Sequence, residues 1–206
     1  MIGRRFTPGS STVEDRSVGA RQETPFDPSR AARLDDPARF SYLSVDDVVA
    51  LIDAPRAATV VDFGAGTGAY TLPLAERRPD LRVIALDVQP AMLALLRRKP
   101  AFATIANVQT VERATPELAK TVACVFAVNA LHELHDADLA SIRELLAPHG
   151  RFVAIDWDAS IERPVGPPPE RVYAPAEAED RLAGAGLRTI ERRSLRYHYA
   201  LTAVSA

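Results

Sequence analysis

The chain has 206 residues, 47% of them apolar, and a net charge of −2. That length suits one α/β domain with a real core. The near-neutral charge does not favour a nucleic-acid binder, which would more often carry a basic excess.

Cys124 is the single cysteine, which excludes an internal disulfide and a thiol-rich metal site. No apolar run reaches membrane-spanning length, and Arg4-Arg5 is not followed by the apolar segment of a secretory or twin-arginine signal. A cytoplasmic protein with no membrane partner is the expectation.

Residues 1–30 lack periodicity and are rich in Gly, Ser, Pro, Arg and Asp, so they read as a flexible arm before a domain spanning 31–206. Ser44 can cap a helix with Val45, Val48, Val49 and Ile52 on one face, ending before Pro55. A regular alternation then begins. A short buried strand is expected over 59–63, a helix over 68–77 and a strand over 81–86. Pro90 suits the first turn of a helix over 90–98, which ends before Pro100. A weak strand follows at 108–111.

The segment 121–128 is apolar throughout, as for a strand covered on both faces. Asp136 is placed as the cap of a helix with Leu139, Ile142, Leu145 and Leu146 inward. A fifth strand is expected over 151–156, a Pro-rich loop over 163–169 and a helix over 175–184. Two strands, 187–195 and 198–204, leave almost no room for a helix between them and should pair antiparallel. The alternation predicts an open, mostly parallel, doubly wound sheet.

In such a sheet ligands bind at the carboxyl ends of the strands, at the switch point beside the first strand. "VVDFGAGTGAY" places Gly64, Gly66 and Gly68 there, directly after Asp62. Glycine permits positive φ and close approach of a ligand to the backbone. A nicotinamide-binding loop would read G-x-G-x-x-G; this one reads G-x-G-x-G. Asp62 would repel a pyrophosphate and suit a ligand with a cationic amino group. Asp87 ends the second strand, where a carboxylate can accept both hydroxyls of a ribose.

"VVDFGAGTGAYTLPLA" and "VIALDVQPAML" together resemble the first two motifs of class I S-adenosylmethionine (SAM)-dependent methyltransferases. "CVFAVNALHELHD" is similar to their fourth-strand motif, and "LLAPHGRFVAIDW" to the turn and strand after it. The resemblance covers roughly 40–206. It implies a Rossmann-like seven-stranded sheet with an antiparallel last strand and helices on both faces, SAM as cofactor, and transfer of a methyl group to a small-molecule acceptor. The C-terminal part is also similar to small members near the ubiquinone-biosynthesis and arsenite-methylating groups. Arsenic chemistry is disfavoured, because it needs several cysteines.

Carried over by position, the resemblance puts Gly64, Ala65, Gly66 and Gly68 along the methionine portion and Asp62 near its amino group. It puts Asp87 on the ribose, Val88 and Gln89 beside the adenine, and Asn129 at the methionine end or the substrate. Members usually carry an acid after the third strand to accept from the adenine amino group. Here Arg113 stands at that position, with Glu112 before it, and arginine cannot accept a hydrogen bond. Either Glu112 substitutes after a one-residue slip, or a backbone carbonyl serves.

Methyl transfer needs a base only where the acceptor must lose a proton. His132 is the candidate base, the alternative being a helix-start histidine bonded to backbone. "HELH" is one residue short of the metalloprotease motif H-E-x-x-H, so no metal site is expected. Arg171, after Gly166-Pro167-Pro168, could bind an anionic group or make a surface ion pair. His198 lies on the opposite face of the last strand from Tyr197 and Tyr199, and one of those faces could reach the site. In similar enzymes the stretch before the first strand folds over the cofactor. Here 31–55 would be that lid, with Phe26, Phe40 and Tyr42 as its aromatics, or these rings simply dock the segment. Two other readings stand beside the enzyme: a SAM-binding sensor or partner subunit without transferase activity, and a nicotinamide oxidoreductase.

Overall fold

The computed structural model describes residues 26–206. Most of the arm expected over 1–30 lies outside the described residues. The segment 26–40 makes short helical turns at its prolines: Asp27 accepts from the backbone of Ser29 and starts a 3-10 helix at Pro28–Arg33, so the arm ends before 28 rather than at 30. A second 3-10 helix, Pro37–Ser41, begins in the same way under Asp36. In both, an aspartate followed by proline supplies a side-chain acceptor and a preset φ.

Ser44 caps α1 (Val45–Leu51) as expected, its hydroxyl accepting from Asp47 N–H at 3.0 Å. β1 (Thr59–Phe63), α2 (Thr71–Arg77), β2 (Arg82–Leu86) and α3 (Pro90–Arg97) follow. Pro100 does more than stop α3: it opens a further short helix, α4 (Pro100–Thr104), because proline is as well suited to a first turn as to a break. β3 (Val108–Val111) and β4 (Val122–Val128) lead to α5 (Asp136–Leu145). The cap of α5 is His135, one residue earlier than expected: Asp138 reaches back to accept from His135 N–H at 2.8 Å. β5 (Leu146–Trp157), α6 (Pro175–Gly184), β6 (Leu187–Ser194) and β7 (His198–Ser205) complete the chain.

The sheet order is β3-β2-β1-β4-β5-β7-β6. The pairs from β3 to β5 are parallel, and β7 runs antiparallel to both β5 and β6. β1 and β4 adjoin, with Asp62 opposite Phe126, so the strand order reverses between them. Side-chain alternation feeds two cores. Val61, Ile84 and Val125 pack with α5 and α6 on one face; Val60, Val83, Cys124 and Phe126 pack with α1 and α2 on the other. β4 is apolar throughout because both its faces are covered. Each fully buried aliphatic or aromatic side chain contributes roughly 1.5–3 kcal/mol, so the central strands hold the site's polar residues on a rigid frame. No helix among the described residues is long and apolar enough to cross a membrane.

Candidate functional site

A cavity of about 190 Å³ opens at the carboxyl ends of β1, β2 and β4. Its floor is the loop after β1. Gly64 and Ala65 N–H groups donate to Leu86 O at 2.8 and 3.0 Å, so the loop is laced to the end of β2. Gly66 has φ +55° and presents its backbone to the cavity, where an added Cβ would stand 3.3 Å from Leu34. Gly68 serves packing instead: with φ +75°, a Cβ there would lie 2.7 Å from Leu96, and it does not line the cavity.

Asp87 is fixed by the backbone. Its Oδ2 accepts from Gly66 N–H at 2.7 Å and its Oδ1 from Gln89 N–H at 2.9 Å. Burial raises its pKa above the ordinary carboxylate value, and the two amides oppose that rise. Val88 is 62% exposed beside it, an uncovered apolar face on the cavity wall. Asp62 is 3% exposed and accepts from Thr71 Oγ1, which ties β1 to the first turn of α2. Burial pushes its pKa up to about 7; the Thr71 bond opposes this, Asp87 adds to it and Arg39 opposes it.

Asn129 also lines the cavity. It sits at φ +56°, a left-handed conformation that asparagine tolerates, with its N–H bonded to Ile155 O at 2.7 Å. Its buried Oδ1 has no hydrogen-bond partner among the described residues. A buried acceptor without a donor is costly unless a ligand supplies one.

The segment before α1 closes the cavity. Phe26, Leu34 and Arg39 line it. Asp35 accepts from Thr67 Oγ1 and from Lys99 Nζ, each at 2.6 Å, pinning the first 3-10 helix to the glycine loop and to the end of α3. Arg39 stands 5.1 Å over the Tyr70 ring, and Tyr70 OH donates to Leu43 O at 3.0 Å. Phe40 meets Tyr70 edge-on at 5.7 Å.

Of the residues expected at the site, Asp62, Gly64, Ala65, Gly66, Asp87, Val88, Gln89 and Asn129 converge on this cavity. The others stand elsewhere. Glu112 and Arg113 are exposed just past β3 and do not line it. Tyr42 faces the Tyr197 ring at 6.1 Å, away from the cavity lining. Arg171 is exposed on the short turn Pro169–Arg171. The Pro-rich loop is organised by Arg163, which donates to Asp158 O at 2.7 Å and to Pro167 O, and stacks 5.6 Å over Trp157.

His198 is fully buried against Trp157, ring centroids 3.9 Å apart. Burial lowers its pKa to about 4, so the ring is neutral at physiological pH. His132 is also absent from the cavity lining. Its ring is 2% exposed, Nδ1 lying 2.8 Å from Asp156 Oδ2, and its own N–H donates to the same carboxylate at 3.0 Å. From this loop Ala130, Glu133, Leu134 and His135 line the cavity instead. Glu133 was legible only as the neighbour of the two histidines in "LHELHD". Asp156 carried a better signal: like Asp62 and Asp87, it is an acid at the end of an apolar strand.

Residues 60–150 match a family described as "Methyltransferase domain". Trans-aconitate 2-methyltransferase of Mycobacterium ulcerans is 34% identical over 119 residues, 57% of this chain and 43% of that protein. Demethylmenaquinone methyltransferase of Thermus thermophilus is 32% identical over 143 residues, covering 66% of this chain and 58% of that protein. The chain thus spans about half the length of the curated relatives it matches. A SAM-dependent methyltransferase from Aquifex aeolicus superposes with a TM-score of 0.81 at 28% identity, over 88% of this chain and 100% of that one. Residues 60–150 are thus similar to a methyltransferase domain, and the fold is that of a SAM-dependent methyltransferase structure.

Proposed function

We propose that this domain transfers a methyl group from SAM to a small-molecule acceptor. The observation that carries the reading is the pairing, across one cavity, of a backbone-fixed Asp87 with the donorless Oδ1 of Asn129. SAM has a diol at one end and an ammonium at the other, so it fits both. Asp87 would accept from the ribose hydroxyls, and exposed Val88 with Gln89 would face the adenine. Gly64, Ala65 and Gly66 would run along the methionine portion, and Asn129 Oδ1 and Asp62 would take its amino group. Bound there, SAM supplies an electrophilic methyl on a sulfonium.

Positioning and exclusion of water fall to the chain itself. The segment 31–55, with Phe26 before it, acts as a lid through Leu34, Arg39 and the Asp35 clasp. A small acceptor suits a chain with no separate substrate domain among the described residues.

Calorimetric titration with SAM, S-adenosylhomocysteine (SAH) and NAD tests the reading. SAM and SAH should bind and NAD should not. Absence of binding by both SAM and SAH would sink the proposal. Binding without methyl transfer from labelled SAM to any of a panel of phenols, amines, thiols and carboxylates would turn it into the sensor or partner-subunit reading.

A further inference from the structure

The acceptor side of the cavity holds three acid–base groups in a row. Glu133 lines the cavity at the end of the β4 motif. Behind it, His132 Nε2 lies 3.7 Å from Glu133 Oε1. Behind His132, Asp156 contacts Nδ1 with both oxygens, at 3.0 and 2.8 Å. Asp156 also accepts from His132 N–H and, at 2.8 Å, from Trp157 N–H, so its orientation is fixed by backbone. Donation from Nδ1–H to this carboxylate leaves Nε2 directed at Glu133. None of these three is among the diol and ammonium partners assigned above.

We propose that Glu133 is the base that receives the acceptor's proton, with His132 and Asp156 as its positioning residues, and that the acceptor is therefore a protic group, a phenol or an amine, and not a carboxylate. The inference rests on the methyltransferase reading. In the step, a lone pair on the acceptor heteroatom forms the new bond to the methyl carbon. The carbon–sulfur bond breaks with its electron pair remaining on sulfur, and the heteroatom's proton passes to a Glu133 oxygen. A carboxylate acceptor would have no proton to give at neutral pH, and it would have to approach an acidic wall.

Charge on the wall points the same way. Beyond Asp62 and Asp87, assigned to the cofactor, Glu133, His135 and Asp138 line the cavity, and Arg39, stacked on Tyr70, is the one arginine lining it among the described residues. Glu133 is raised above the ordinary carboxylate value by burial. His132 opposes that rise, Asp156 adds to it, the N–H of Phe26 opposes it and Asp87 adds to it. A carboxylate moved toward neutrality is a stronger base than an exposed one. His132 is disfavoured as a cation by burial, but the charge and hydrogen bond of Asp156 outweigh this, with help from Glu133 and against Arg163, so its pKa is raised.

The test is nuclear magnetic resonance on the labelled full chain with SAH. SAH binding is first measured by calorimetry; its absence removes the methyltransferase reading itself, and with it this one. With SAH bound, the side-chain carboxyl carbon of Glu133, assigned by its loss in Glu133→Gln, should titrate above the ordinary glutamate range. His132→Gln should move that midpoint further up by removing the neighbouring cation, and Asp156→Asn should move the His132 midpoint down. If His132→Gln does not fold, Asp156→Asn carries the test alone. An ordinary Glu133 midpoint, or midpoints indifferent to both neighbours, overturns the base assignment while leaving SAH binding intact. Phenol, benzylamine and benzoate at equal millimolar concentration then test the acceptor class. Phenol or benzylamine should shift the Glu133 resonance at least severalfold more than benzoate. An equal or larger response to benzoate overturns it.

Discussion

The two halves of the cavity are built by different means. The side proposed for the cofactor is made of backbone: laced glycine-loop amides, an Asp87 held by two N–H groups, and strand ends in parallel register. The side proposed for the acceptor is made of side chains that meet from distant places in the chain. Glu133 and His132 follow β4, Asp156 ends β5, and Phe26 arrives from before the first helix. Backbone geometry is common to every member of a fold, whereas converging side chains can change one at a time. On the proposed reading the first half would carry a shared ligand, and the second would set what is particular to this chain.

The largest effect should come from breaking the side-chain half. Asp156→Ala removes a buried partner of the His132 ring and two backbone amides, and should destabilise the fold by roughly 3–5 kcal/mol in urea unfolding, the scale for orphaning a buried charged pair. An effect below about 1 kcal/mol would mean that this half is not a cooperative unit.

Next comes the backbone half. Asp87→Ala should weaken SAH binding by roughly 1–3 kcal/mol in calorimetry while leaving unfolding less affected than Asp156→Ala. Unchanged affinity would overturn the ribose assignment.

Asp62 sits between the halves and gives a pH signature. Its folded pKa, about 7, lies above the ordinary value of 3.8, so the native state holds a proton that the unfolded chain has released. Stability is lost as pH rises from about 4 to 7, at up to about 1.4 kcal/mol per pH unit. Asp62→Asn should flatten that slope, as followed by the difference in unfolding free energy at pH 5 and pH 8. An equal slope in both proteins would place the burden elsewhere.

The smallest effect is expected at the lid. Asp35→Ala removes a half-exposed clasp to Thr67 and Lys99 and should cost roughly 1 kcal/mol or less in SAH affinity, mainly through faster dissociation in stopped-flow measurements. A loss as large as that of Asp87→Ala would make the lid an equal partner of the floor.

The sequence by itself determined the alternation of strands and helices and the closing hairpin. It also pointed to many residues that line the cavity, from Asp62 through Gln89 to Asn129. These are local features: periodicity, proline at first turns, and glycine at positions of positive φ each depend on a few neighbouring residues. Where local signals misled, the reason was also local. Pro100 read as a stop although it starts α4, and Asp136 read as a cap although His135 with Asp138 behind it fills that role.

Only the tertiary structure decided which side chains face the cavity. His132 and Glu133 are adjacent in "LHELHD", yet one is sealed against Asp156 and the other lines the wall. Arg113 and Arg171 look functional by position and stand exposed away from it; Leu34 and Arg39 carry no motif and line it. Facing is set by the packing of one segment on another, and that information is spread along the whole chain.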